Sequence, residues 1–90
     1  MCMAFKVHGR VQGVGFRAFV LECAQNLGLG GWVRNEYDGT LTGEACGEPL
    51  LLEELRKQLE RGPNMAYVTR LDWMPLDGAQ SPPHPFAVRR

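Results

Sequence analysis

From Met3 to Gly9 the chain alternates, with Met3, Phe5 and Val7 on one side and Ala4, Lys6 and His8 on the other, which predicts a strand with one buried face. The period then changes. Phe16, Val20, Cys23, Ala24 and Leu27 recur at helical spacing, so a helix is expected from Phe16 to Leu27, with Gly28 as its C-terminal cap. Gly31 to Asn35 reads as a second strand, and Glu36-Tyr37-Asp38-Gly39 carries an Asp-Gly hairpin signal. Thr40 to Cys46 returns as its partner, setting Leu41, Gly43 and Ala45 against Thr40, Thr42, Glu44 and Cys46. Leu51, Leu52, Leu55 and Leu59 form the apolar stripe of a second helix over Leu50 to Arg61, stopped by Gly62-Pro63. Met65 to Met74 reads as a strand, Pro75 to Pro85 as a polar, proline-containing connection, and Phe86 to Arg89 as a short final strand at an edge.

The order βαββαβ with a short extra strand is the split βαβ arrangement of an α+β, ferredoxin-like sandwich. Both helices are expected on one face of an antiparallel sheet. Right-handed crossovers place the third strand between the first two, so the expected strand order is 4-1-3-2 with the last strand at an edge. Ninety residues fit one domain, 1–90, burying roughly 60 to 65% of the surface of the unfolded chain.

Composition narrows the function. Ten basic and ten acidic side chains cancel, which speaks against the global positive field of a nucleic-acid binder and requires any anion site to be local. Neither a signal-peptide run nor a membrane-length apolar window is present in the sequence, so a soluble, cytoplasmic protein is expected, and zero net charge on a small domain leads one to expect a monomer. Cys2, Cys23 and Cys46 are too few and too scattered for a disulfide scaffold or a zinc site, and His8 and His84 are isolated. No metal is expected.

The strongest chemical signal is GRVQGVGFR, Gly9 to Arg17. Gly13 and Gly15 lack Cβ atoms, so successive peptide N–H groups can converge on one point, at which the following helix also aims its unpaired donors and positive dipole end. Arg17 adds a planar fork of donors. A cation in the first turn is electrostatically unfavourable unless an anion occupies the loop. Gly13, Gly15 and Ala18 also match the G-x-G-x-x-A of a dinucleotide site, with Glu36 near the acidic position, but one βα unit followed by a hairpin cannot supply the two halves such a site needs. A P-loop lacks its GK[ST].

With the cradle and the element order in hand, the chain resembles the acylphosphatases over essentially its whole length. GRVQGVGFR at 9–17 is similar to the family's first motif and GWVRNEYDG at 31–39 to its second, and Gly62-Pro63, Ala66, Val68 and Phe86 also fit. The apolar run Pro49-Leu50-Leu51-Leu52 and the stretch Ser81-Pro82-Pro83-His84-Pro85 depart from it. The resemblance implies hydrolysis of the carboxyl–phosphate bond of an acyl phosphate without metal or cofactor. Inorganic phosphate would be product and inhibitor, with no nucleic-acid or membrane partner. It maps the binding arginine onto Arg17, the water-positioning asparagine onto Asn35, and the phosphate loop onto Gln12, Gly13, Val14, Gly15 and Phe16. Parallel first and second strands would bring Arg17 and Asn35 to one end of the sheet, where a mixed anhydride needs only charge neutralisation and an aligned water.

Plainer readings stand beside these. Asn35 also suits the start of a hairpin, Arg34 reads as a solvated surface cation, and Trp32 and Trp73 read as large apolar contacts. Strand parity brings Cys2 and Cys46 together on the outward face, where a disulfide is feasible, although a reducing compartment favours two free thiols. Rival functions are a non-catalytic regulatory module, the N-terminal acylphosphatase-like part of a carbamoyltransferase, and a ferredoxin-like RNA binder. The last would need aromatic residues where Ala4, Lys6 and His8 stand.

Overall fold

The alternation at the start of the chain forms a nine-residue strand, β1 (Cys2–Arg10), with Met3, Phe5 and Val7 buried. In the computed structural model, which describes residues 1–78 and 82–90, the chain continues through α1 (Phe16–Asn26), β2 (Gly30–Asn35), β3 (Leu41–Cys46), α2 (Pro49–Arg61), β4 (Tyr67–Leu76) and β5 (Ala87–Val88). The strands make one sheet in the order β4-β1-β3-β2-β5. This contains the expected 4-1-3-2 order with the last strand at an edge, although the sheet is mixed. β1 pairs antiparallel with β3 and β4, and β2 with β3, but β5 lies parallel to β2. The register explains why. Leu76 ends β4 beside Cys2, Cys2 faces Cys46, and Cys46 faces Gly30 at the start of β2. The chain therefore leaves β4 at the end of the sheet where β2 begins, and enters β5 in the direction of β2.

The helices cover one face. Phe16, Val20 and Ala24 of α1 and Leu52, Leu55 and Leu59 of α2 are buried in one core with Phe5, Val7, Val33, Leu41 and Phe86. Each of the fully buried Phe, Val and Leu side chains contributes about 1.5 to 3 kcal/mol. Proline suits the first turn of a helix, which places the start of α2 at Pro49, one residue before the expected Leu50. Leu50 itself is exposed and Leu51 only partly buried, so the apolar run at this helix start is not all core. The helix α1 ends at Asn26 with Leu27 as its cap, one residue short of expectation.

Two further corrections concern β-structure. β4 starts two residues after the expected Met65 and continues past Met74 through Pro75 to Leu76. Proline is tolerated there because β4 is an edge strand, whose outward-facing positions need no ladder donor. Of the expected 75–85 connection, residues 79–81 lie outside the described residues. Thr40, expected on the outward face, precedes β3 and is buried, its hydroxyl donating to Asp38 Oδ1 at 2.5 Å. Cys2 and Cys46 face each other across β1 and β3 with Cα atoms 4.0 Å apart and are joined in a disulfide, in place of the two free thiols that the compartment argument favours. Cys23 is free and half-buried, with its thiol pKa raised chiefly by burial.

Candidate active site

Three strands that run the same way, β1, β2 and β5, deliver their C-terminal ends to one end of the sheet. The loop after β1, the last residue of β2 and the tail after β5 meet there. In the first of these, Gly13 and Gly15 take φ values of 73° and 77°, a region that side-chain-bearing residues rarely enter. Gly15 is the N-cap of α1 and brings no side-chain cap, and the first turn holds no acidic residue. The first helical bond runs from Phe19 N to Gly15 O at 3.0 Å, so the N–H groups of Phe16, Arg17 and Ala18 have no acceptor within the helix. Val11 is buried and Val14 packs against the core, which holds the loop at both flanks.

Gln12 ties this loop to the hairpin. Its side-chain amide donates to the carbonyl oxygens of Glu36 at 2.7 Å and Thr40 at 2.9 Å, the two ends of the β2–β3 loop. The loop is closed again by Glu36 N donating to Thr40 O at 2.9 Å, and by the Thr40 N–H on Asp38 Oδ1 at 3.0 Å. The hydrogen bonds from the Thr40 hydroxyl and backbone N–H, with Lys6 nearby, hold Asp38 down to about 2. Asn35, the residue on which β2 ends, is thereby fixed beside the cradle. Its Oδ1 is buried and has no hydrogen-bond partner among the described residues, an arrangement that costs free energy unless a ligand or water supplies a donor.

Two cavities share Arg17 and Asn35. One of about 200 Å³ is lined by Gly13, Gly15, Phe16 and both of these residues; the other, of about 610 Å³, is lined by Gln12, Arg34, Glu36, Tyr37 and Arg90 as well. Arg34 is not simply solvated. Its Nε donates to Glu36 Oε2 at 2.7 Å, and its guanidinium lies 5.3 Å from the centroid of Trp32. Arg89 lies over the same indole at 4.9 Å. Trp32 is therefore a cation–π platform on the open face rather than only an apolar contact, whereas Trp73 stacks on Phe5 with centroids 6.0 Å apart. The hydroxyl of Thr42 and then Arg34 lower the Glu36 carboxyl below its ordinary range, so Glu36 stays charged at neutral pH.

Gln12 to Arg17 and Asn35 are thus gathered at one sheet end, as their positions in the chain lead one to expect. The two histidines are elsewhere: His8 Nε2 lies 3.0 Å from Asp72 Oδ2 across β1 and β4, and His84 Nε2 lies 3.3 Å from Gly28 O. Among the described residues no three His, Cys, Asp or Glu side chains form a metal-holding group. Sequence reasoning missed Arg34, Glu36 and Arg90 as cavity residues. Alternation with buried Val33 turns Arg34 away from the core and gives it the look of a surface cation, and only the parallel pairing of β5 brings Arg90 to this end.

Residues 3–87 match the family model described as Acylphosphatase. An acylphosphatase of Cupriavidus necator is 49% identical over 71 residues, 79% of this chain and 77% of that one. The crystal structure of acylphosphatase from Bacillus subtilis superposes with a TM-score of 0.93 at 30% identity, covering 99% of this chain and 98% of that chain. An acylphosphatase from Coxiella burnetii gives 0.85 at 37% identity over 98% and 90% of the two chains. Sequence and fold agree from the first strand to the last, and the chain belongs to the acylphosphatase family.

Proposed function

We propose that this chain hydrolyses acyl phosphates to a carboxylate and inorganic phosphate, and that Arg17, the Gln12–Phe16 loop and Asn35 carry the reaction. The phosphoryl group sits in the smaller cavity, its oxygens facing the free N–H groups of the α1 start and the Arg17 guanidinium. A water held by the Asn35 amide attacks phosphorus in line, the bond to the carboxylate oxygen breaks, and the carboxylate departs with the electron pair. Asn35 does not titrate, so it orients the water without taking its proton, which passes to a substrate oxygen. Charge neutralisation and alignment suffice because a carboxylate is a good leaving group.

The observation that carries this reading is the buried, unpartnered Asn35 Oδ1 beside a cradle of unpaired donors. An acceptor in that position fits a water O–H and is poorly explained by a hairpin start. The test is hydrolysis of benzoyl phosphate with inorganic phosphate as competing inhibitor, in buffer containing EDTA. Arg17→Ala is expected to lose about 100-fold or more in kcat/KM and to bind phosphate weakly, by analogy with removal of one transition-state donor. Asn35→Ala is expected to lose turnover on a similar scale, about 100-fold, while phosphate inhibition stays near wild type. Wild-type turnover in Asn35→Ala with only a lower melting temperature would return Asn35 to the hairpin. Absence of hydrolysis by the wild-type chain, with phosphate still bound, would favour a regulatory binding module.

A further inference from the structure

The two cavities that meet at Arg17 and Asn35 offer different chemistry. The smaller contains the glycine cradle. The larger extends beyond it and is lined by three arginines, Arg17, Arg34 and Arg90, and by one acidic residue, Glu36. The Glu36 carboxylate is already engaged by Arg34 and by the Thr42 hydroxyl. Among the described residues no carboxylate pairs with Arg17 or with Arg90. A phosphoryl group in the cradle would engage Arg17, leaving the Arg90 side chain without an Asp or Glu partner among the described residues, in the space where the rest of the substrate must lie.

The fold holds Arg90 there. β5 runs along β2, Arg89 N donates to Val33 O at 2.8 Å, and the Arg89 guanidinium rests on Trp32, so the tail is fixed up to the preceding residue. Arg34 is held from two sides, by Glu36 through Nε and by the same indole, and its terminal nitrogens remain available as donors. The cavity gives no enclosed apolar wall for a neutral acyl group, since Tyr37 is fully exposed.

We propose that the larger cavity is an acyl-group subsite selecting acyl phosphates that carry a second negative charge, a carboxylate or phosphate on the acyl chain, with Arg90 as the specificity-determining residue and Arg34 beside it. This rests on the phosphoryl group occupying the cradle at Arg17 and Asn35. Arg90 is exposed, so its replacement leaves the core intact, and the ion pair it forms with substrate is screened by salt.

The experiment compares kcat/KM for benzoyl phosphate with that for its 3-carboxy and 4-carboxy derivatives, which differ by one charge on the same ring. In the wild-type chain at low salt the better carboxylated substrate is expected to exceed benzoyl phosphate by about fivefold, the scale of an exposed charge pair. That ratio falls towards one in Arg90→Ala, below one in Arg90→Glu, and also shrinks at high ionic strength. Equal use of charged and neutral substrates by the wild type overturns the subsite, as does a preference that survives in both Arg90 variants. Hydrolysis of none of the three substrates counts instead against the proposed reaction, so the two failures are distinct.

Discussion

Gln12 uses both protons of its side-chain amide on the carbonyls of Glu36 and Thr40, so it holds the cradle and the hairpin at a set separation. In Gln12→Ala the residue after β2 loses this strut. Turnover on benzoyl phosphate is expected to fall about tenfold, since small misplacements of an aligning group are costly, while the phosphate inhibition constant moves by less than about threefold. Equal losses in both would make the Gln12 side chain itself a phosphate-binding group rather than a strut. At this scale the site was largely legible. Gly13, Gly15 and Arg17 fall close together in one strand-to-helix turn, so their chemistry is local, and the position of Asn35 at the same sheet end follows from strand direction. The clamp and the indole platform were not, because Gln12 meets Glu36 and Thr40 across 24 and 28 residues and Arg89 reaches Trp32 from the far end of the chain.

Among the elements, the antiparallel register of β1 and β3 has the clearest energetic consequence. The Cys2–Cys46 bridge closes a loop with a sequence separation of 44, and chain-entropy reasoning gives such a loop about 4 kcal/mol at 25 °C. Cys46→Ser is therefore expected to lower the urea midpoint in oxidising buffer and to match the wild-type chain once dithiothreitol is present. An oxidised wild type no more stable than the variant would reject the bridge as a stabilising link. The pairing was legible from parity; the oxidation state was not, because the argument for free thiols came from compartment rather than geometry. β4 was misread at its C-terminal end for a different reason. Pro75 has the appearance of a strand terminator until the sheet order shows that β4 has only one neighbour.

The whole molecule has balanced charge but an uneven distribution of it, with Arg17, Arg34 and Arg90 around one cavity. Several of its acidic groups are held in pairs elsewhere on the surface. Thr40 brings Asp38 to about 2, Arg70 and then His8 lower Asp72, and Arg56 lowers Glu53. A carboxyl depressed on folding contributes stability that is complete above its unfolded pKa and disappears as pH falls through the folded value. With unfolded values of about 4, the melting temperature is expected to be flat from neutral pH to about 5 and to decline towards pH 2. Asp38→Asn removes part of that decline. A melting temperature unchanged between pH 6 and 2.5, followed by circular dichroism, would contradict the assignment of these pairs. Element order, sheet order and the shared helix face were legible because each follows from a local period joined to a handedness rule. The parallel course of β5 was not, since it depends on which end of the sheet β4 leaves.

The two margins of the sheet limit what else can attach to it. A free edge of ten residues would ordinarily invite a further strand from another chain, seeding uncontrolled polymerisation. β4 instead carries Pro75, which lacks a donor, and its pairing with β1 is interrupted by a shift between His8 and Gly9. At the opposite margin β5 offers only two residues. The same short strand that carries Arg90 to the cavity thus also leaves an incoming chain almost nothing to copy, so growth by strand addition is blunted on both sides.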